Sequence, residues 1–210
     1  MGSPFFFDIG IFMTPTSTLE AINIMLSSIG ETPVNSLESG LVDAEMAEMI
    51  LNATSREIQS RGWKFNTEKK YRITPATTSG EIILPSNALK ADLSVETGEF
   101  DLVQRGNRMY DLLSHSYAIG KTVELDIVVF LDFELLPEAA RHYITVKASR
   151  TFQDRTVGSD TLHGFQEKDE TWALVEMKDA EADTGDYTIF DNYAVSRVLN
   201  RNISTSIRRG

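Results

Sequence analysis

The sequence predicts an α+β fold: a bundle of about four helices with an inserted small, mostly antiparallel β-sheet and a C-terminal arm. Three observations carry this reading. Apolar residues recur at steps of three and four before residue 62 and again after residue 134. Between them the pattern shortens to alternation and brief apolar runs bounded by Gly and Pro. Beyond Asn192 neither period survives. The expected organisation is therefore a leader over 1–16 outside the fold, a bundle from 17–66 and 134–184, an inserted β region over 67–133, and an arm over 185–210.

The leader, MGSPFFFDIGIF, is aromatic but short, interrupted by Asp8 and without a basic start, which makes it a poor signal peptide. An upstream extension is the better expectation, with the fold proper beginning after Met13. Ser17 and Glu20 then form an S-x-x-E capping box ahead of Leu19, Ile22, Leu26 and Ile29. Gly30 ends this first helix and Pro33 prevents its continuation. The second helix is expected from Ser39–Asp43 to Arg61, with Ala44, Ala47, Leu51, Thr54 and Ile58 on its packed side and Gly62 at its close. Trp63 and Phe65 follow as a hydrophobic plug on the core.

In the β region, 71–74 and 82–84 read as short strands. Segments 102–104 and 108–110 flank Gly106-Asn107, a two-residue hairpin turn of the Gly-first type. The strongest strand is 122–131, where Val123, Leu125, Ile127 and Val129 alternate with Glu124 and Asp126. Leu135–Arg155 reads as the longest helix, opened by Pro137 and striped by Leu136, Ala140, Tyr143, Ile144, Ala148 and Phe152. A fourth helix, capped by Ser159, carries Leu162, Phe165, Trp172, Ala173, Met177 and Ala180, with breaks at Asp169 and Glu176. From Glu167 to Asp186 it holds eight acidic residues against two lysines. The arm reverses that balance with Arg197, Arg201, Arg208 and Arg209 and no acid after Asn192.

Composition narrows the function. There is no Cys, which removes disulfides, thiolate nucleophiles and zinc-thiolate sites. The three His residues are too scattered for a local ligand motif, and no cofactor or metal is expected. No apolar run approaches the 18 or so residues of a membrane span. A net charge of −11 argues against gripping a phosphate backbone, though an acidic surface suits a protein that DNA passes without sticking. There is no Gly-rich phosphate loop and no nucleophile elbow.

Three separated blocks add a resemblance. Ile29–Glu38 (IGETPVNSLE), Ile58–Asn66 (IQSRGWKFN), and Leu136-Pro137-Glu138 with Val146–Phe152 (VKASRTF) are similar, in family order, to the tail tubular protein A family of short-tailed podophages. The likeness runs from about Thr18 to Asp183; the leader and the Arg-bearing tail lie outside it. It implies a non-enzymatic virion protein of the tail, assembled in the host cytoplasm as a dodecameric ring between the portal and the tail nozzle protein. DNA would pass through the lumen during packaging, retention and ejection. On this reading Arg61, Lys147 and Arg150 are candidates for contact between subunits or for ion pairs within one, and Arg197, Arg201, Arg208 and Arg209 are candidates for contact with the portal. The alternative is a tail-associated carbohydrate hydrolase acting on capsular or cell-wall polysaccharide through a carboxylate pair. A DNA-binding accessory protein is a third reading.

Overall fold

The computed structural model describes residues 14–95, 98–158 and 160–185. Most of the leader and the arm expected beyond residue 185 lie outside the described residues. Within them the fold is α+β, as the change of hydrophobic period requires. Four helices, α1 (Thr18–Ser28), α2 (Val42–Gln59), α3 (Glu138–Thr156) and α4 (Asp160–Gly185), surround the strands in sequence. The five strands are β1 (Thr67–Ile73), β2 (Ala88–Leu93), β3 (Leu102–Arg105), β4 (Arg108–Asp111) and β5 (Val123–Val129).

The bundle is built on α3, which packs against each of the other three helices. All six residues of its predicted apolar stripe are buried, and Phe152 and Ile144 are fully so. They meet Ala21, Ile22, Met25 and Leu26 from α1, Ala47 and Leu51 from α2, and Ala173 and Met177 from α4. Ser17 caps α1 by accepting a hydrogen bond from the Glu20 amide at 3.2 Å. The longest helix is α4 at 26 residues, not the 135–155 stretch, where α3 has 19. The physical reason is that α4 packs chiefly on α3, with a lesser contact to the 3₁₀ turn at 64–66. One neighbour asks for a narrow apolar strip, so the polar remainder of α4 obscures its length.

The strands form two small antiparallel sheets, one ordered β1-β5-β2 and the other the β3-β4 hairpin. Gly106, at φ 65°, supplies the left-handed first turn position of that hairpin. Ile82, Leu84, Leu102, Met109, Leu125 and Ile127 make a second core, separate from that of the bundle. Two details correct the sequence reading. Segment 82–84 makes one isolated bridge, Ile83 with Arg108, a residue whose strand already pairs with β3 in the hairpin. Strand β2 was not anticipated, since ALKADL lacks a clear alternation; its pairing with the central strand β5 decides it.

Asp126 of β5 fastens the edge strand. Its carboxylate accepts from Lys69 Nζ at 2.7 Å, the Lys70 amide at 3.0 Å and Ser94 Oγ at 2.5 Å. Lys70 sits at the bulge in β1 with φ 54°, a left-handed conformation that this bond helps to hold. Burial alone would raise the Asp126 pKa, but the hydrogen bonds from Lys69, Ser94 and Lys70 and the lysine charge outweigh it and lower the value from 3.8 to about 2.

The two cores meet through a pair of buried amides. Gln59, fully buried, donates to Leu131 O at 2.9 Å and to Ser55 Oγ at 3.0 Å, and accepts from the Leu131 amide at 2.8 Å. Asn66 donates to both Gln59 O and Val129 O at 2.9 Å and accepts from the Trp63 amide at 2.8 Å. Between them Gly62, at φ 77°, lies so close to the sheet that an added Cβ would stand 3.0 Å from Val128. Trp63 and Phe65 are half-buried against the bundle, and Trp63 Nε1 donates to Ile58 O at 2.8 Å.

Gln59→Leu would leave both polar groups of Leu131 without their partner and should cost about 2–4 kcal/mol by urea unfolding. For Asp126 the folded pKa is depressed, so its stabilisation is complete above the unfolded value of 3.8 and drains as pH falls toward about 2. Asp126→Asn should remove about 2 kcal/mol of that acid dependence, read as a flatter stability curve below about pH 5.

Candidate assembly surfaces

The cations nominated by the sequence occupy different settings. Arg61 and Lys147 both reach Glu57 of α2, at 3.7 and 2.6 Å. The Lys147 side chain is largely covered, whereas about half of the Arg61 side chain is exposed. Arg150 crosses from α3 to α4, where its Nε lies 2.5 Å from Glu170, with Asp154 at 3.7 Å. The hydrogen bond to Glu170 pushes the Arg150 pKa up despite burial, with Asp154 and Glu167 adding to it. All three are thus engaged in ion pairs within the chain, and their exposed edges remain on the outside of the bundle. Arg197, Arg201, Arg208 and Arg209 lie outside the described residues.

A fourth cation, Arg141, was not anticipated. It is buried and forms no close ion pair among the described residues; it donates to three carbonyls, Leu136 O and Thr16 O at 2.8 Å each and Glu134 O. Glu138 takes the Thr16 amide at 2.9 Å and Thr16 Oγ1 at 2.5 Å, and Glu134 takes the amide and hydroxyl of Thr18. The entry to α1 is therefore clamped onto the start of α3. Nothing in a lone Arg on a helical ridge announces this, because its partners are backbone carbonyls and one of them, Thr16 O, stands far away in sequence.

The carboxylates speak to chemistry. Asp111 accepts from Ser114 Oγ at 2.6 Å and from the amides of Asp101, Ser114 and Leu113. The Ser114 bond leads in holding it below the ordinary range, against the effect of burial. Glu134 is lowered in the same way, first by Thr18. Every carboxyl group whose titration moves among the described residues moves down, as Asp126 does. A glycosidic general acid requires one that moves up.

What the helices leave exposed is apolar in places. On α4 Trp172 is 70% exposed and Val175 42%. On α2 Val42 and Met49 are exposed at 74% and 63%. The sequence groups Trp172 with Ala173, Met177 and Ala180 as apolar residues of this helix and leaves open which of them form its packed stripe. The neighbouring Ala173 and Met177 take that role, and one residue further round the helix turns Trp172 by about 100° toward solvent.

Comparison with known proteins follows the same lines. A family model described as tail tubular protein matches residues 19–187, which takes in the whole bundle and the inserted strands. The chain is also similar to the Tail tubular protein A of Klebsiella phage KP34, 29% identical over 143 residues, covering 68% of this chain and 75% of that one.

A double-mutant cycle on Arg150→Met and Glu170→Gln should give a coupling of about 1–2 kcal/mol, between the values for exposed and for buried pairs. Arg61→Ala should change stability by less than about 0.5 kcal/mol in the same urea titrations.

Proposed function

The chain belongs to the tail tubular protein family of structural phage tail components, and on that premise we propose that it is a ring-forming adaptor between the portal and the tail nozzle. Twelve copies would surround the channel through which DNA is packaged, retained and ejected. The observation that carries the reading is the extent of the family match: 19–187 takes in both cores and the buried amides that join them, so the whole described body belongs to a tail component. The acidic balance of −11 supports a lumen that DNA crosses without binding. The role is structural and involves no catalytic step. The depressed carboxylates support it over polysaccharide hydrolysis.

In this role Arg61, Lys147 and Arg150 stiffen the bundle through their ion pairs while their exposed edges meet a neighbouring subunit. Arg197, Arg201, Arg208 and Arg209 bring positive charge to an acidic or apolar surface of the portal. Such contacts weaken as salt is added.

Native mass spectrometry of the 23.5 kDa chain should show a dodecamer, either alone or after addition of the portal protein of the same phage. A chain that stays monomeric with both portal and nozzle proteins present contradicts the adaptor reading. A chain ending at Asp186 should bind the portal more weakly than the full chain at equal ionic strength; equal binding would remove the Arg-bearing arm from the docking element.

A further inference from the structure

We propose that neighbouring copies join through the outward face of α4 on one chain and the outward face of α2 on the next, with the two helices parallel. This inference rests on the ring reading above and names the surfaces that make the ring. A cyclic ring needs two different, mutually complementary patches on each subunit. Two such patches stand out on the helices.

On α4 the residues facing away from Ala173 and Met177 are Lys168, Trp172, Val175 and Asp179, at successive steps of four, three and four. On α2 the residues facing away from Ala47, Leu51 and Ile58 are Glu45, Met49, Asn52 and Arg56, at the same steps. Laid side by side in parallel, the two ladders put Glu45 beside Lys168, Met49 beside Trp172, Asn52 beside Val175 and Arg56 beside Asp179. Each end carries an opposite-charge pair, and the centre joins a thioether to an exposed indole, a favourable and adaptable contact. Run antiparallel, the same ladders set Glu45 against Asp179 and Arg56 against Lys168, repulsive at both ends. None of these four charged side chains forms an ion pair among the described residues, whereas Arg61, Lys147 and Arg150 all do.

The direction agrees with the fold. Helix α2 ends where Gln59 meets Leu131, just ahead of α3. Helix α4 ends where Glu181 and Thr184 bond Lys64 and line a small apolar cavity with Phe65 and Pro137. Both helices therefore run toward the N-terminal end of α3, parallel to each other within one chain. Rotation about an axis along the bundle preserves that sense, so α4 of one copy meets α2 of the next in the parallel arrangement that the charges select. An exposed Trp of this kind is a typical energetic centre of an interface.

The absence of native Cys makes the test clean. Full-length chains carrying Asn52→Cys and Val175→Cys are mixed under oxidising conditions, with portal protein added if the chain alone is monomeric. A covalent mixed dimer is expected, with little product from either variant alone, and a ladder toward the closed ring from the double variant. Arg56→Asp and Asp179→Arg should each raise the concentration needed for assembly by about tenfold or more, and together they should restore it. Circular dichroism should show each variant folded, since all four positions are on the surface. If the unmodified chain assembles but no 52–175 product forms and the charge swaps have no effect, the ring uses another surface and this proposal fails alone. If the unmodified chain never assembles with portal and nozzle proteins present, the ring reading fails and this interface with it.

Discussion

Two buried side-chain amides hold this molecule in one piece. The bundle and the inserted strands each have their own apolar core, and hydrophobic burial by itself specifies no angle between them. Gln59 and Asn66 supply the missing direction. They tie the last turn of α2 to Leu131 and Val129, where the sheet returns to the bundle, and every donor they present finds a carbonyl or hydroxyl oxygen. Such polar groups cost free energy when unsatisfied and gain little when paired, so their main effect is to exclude other arrangements. Gly62 permits the close approach that these bonds need, because any side chain there would press on Val128.

The same economy appears along α3. Its ridge of Arg141, Thr145, Ser149 and Gln153 is buried although it is polar. Arg141 gives one hydrogen bond from each of its three guanidinium nitrogens to a carbonyl, and Thr145 Oγ1 bonds back to Arg141 O at 2.8 Å. The Ser149 hydroxyl and the Gln153 amide find no partner among the described residues. The apolar packing of Phe152, Ala148 and Ile144 runs alongside them on the same helix. Helix α3 thus carries a buried apolar stripe and, beside it, a buried polar ridge.

In the proposed ring, a subunit needs a fixed body and two mutually complementary edges more than it needs a pocket. The body comes from α3 and the amide joint. The proposed edges lie on α2 and α4, whose outer faces expose Met49 and Trp172. On that proposal, the opposite-charge pairs at the two ends of the helices give the encounter its direction. The depressed carboxylates belong to the body, since each one holds a loop, a bulge or a helix start.

How much of this was present in the sequence varies with the range of the interaction. The change of hydrophobic period delivered the α+β class, and the six-residue stripe of α3 was legible because a helix repeats its packed face every three or four residues. The Gly106-Asn107 hairpin was equally local, since φ at Gly106 is a property of the turn. Strand β2 was not legible: ALKADL has no alternation of its own and becomes a strand through β5. The roles of Gln59, Asn66 and Arg141 were hidden for the same reason, their partners standing at Leu131, Val129 and Thr16, far away in the chain. Trp172 shows the limit most directly. Its apolar character left its facing open: a shift of one position around the helix separates it from Ala173, and only the placement of α4 against α3 decides which of the two faces the core. Local sequence sets periods and turns; which face is turned inward depends on where the neighbouring element lies, and that is a property of the tertiary structure.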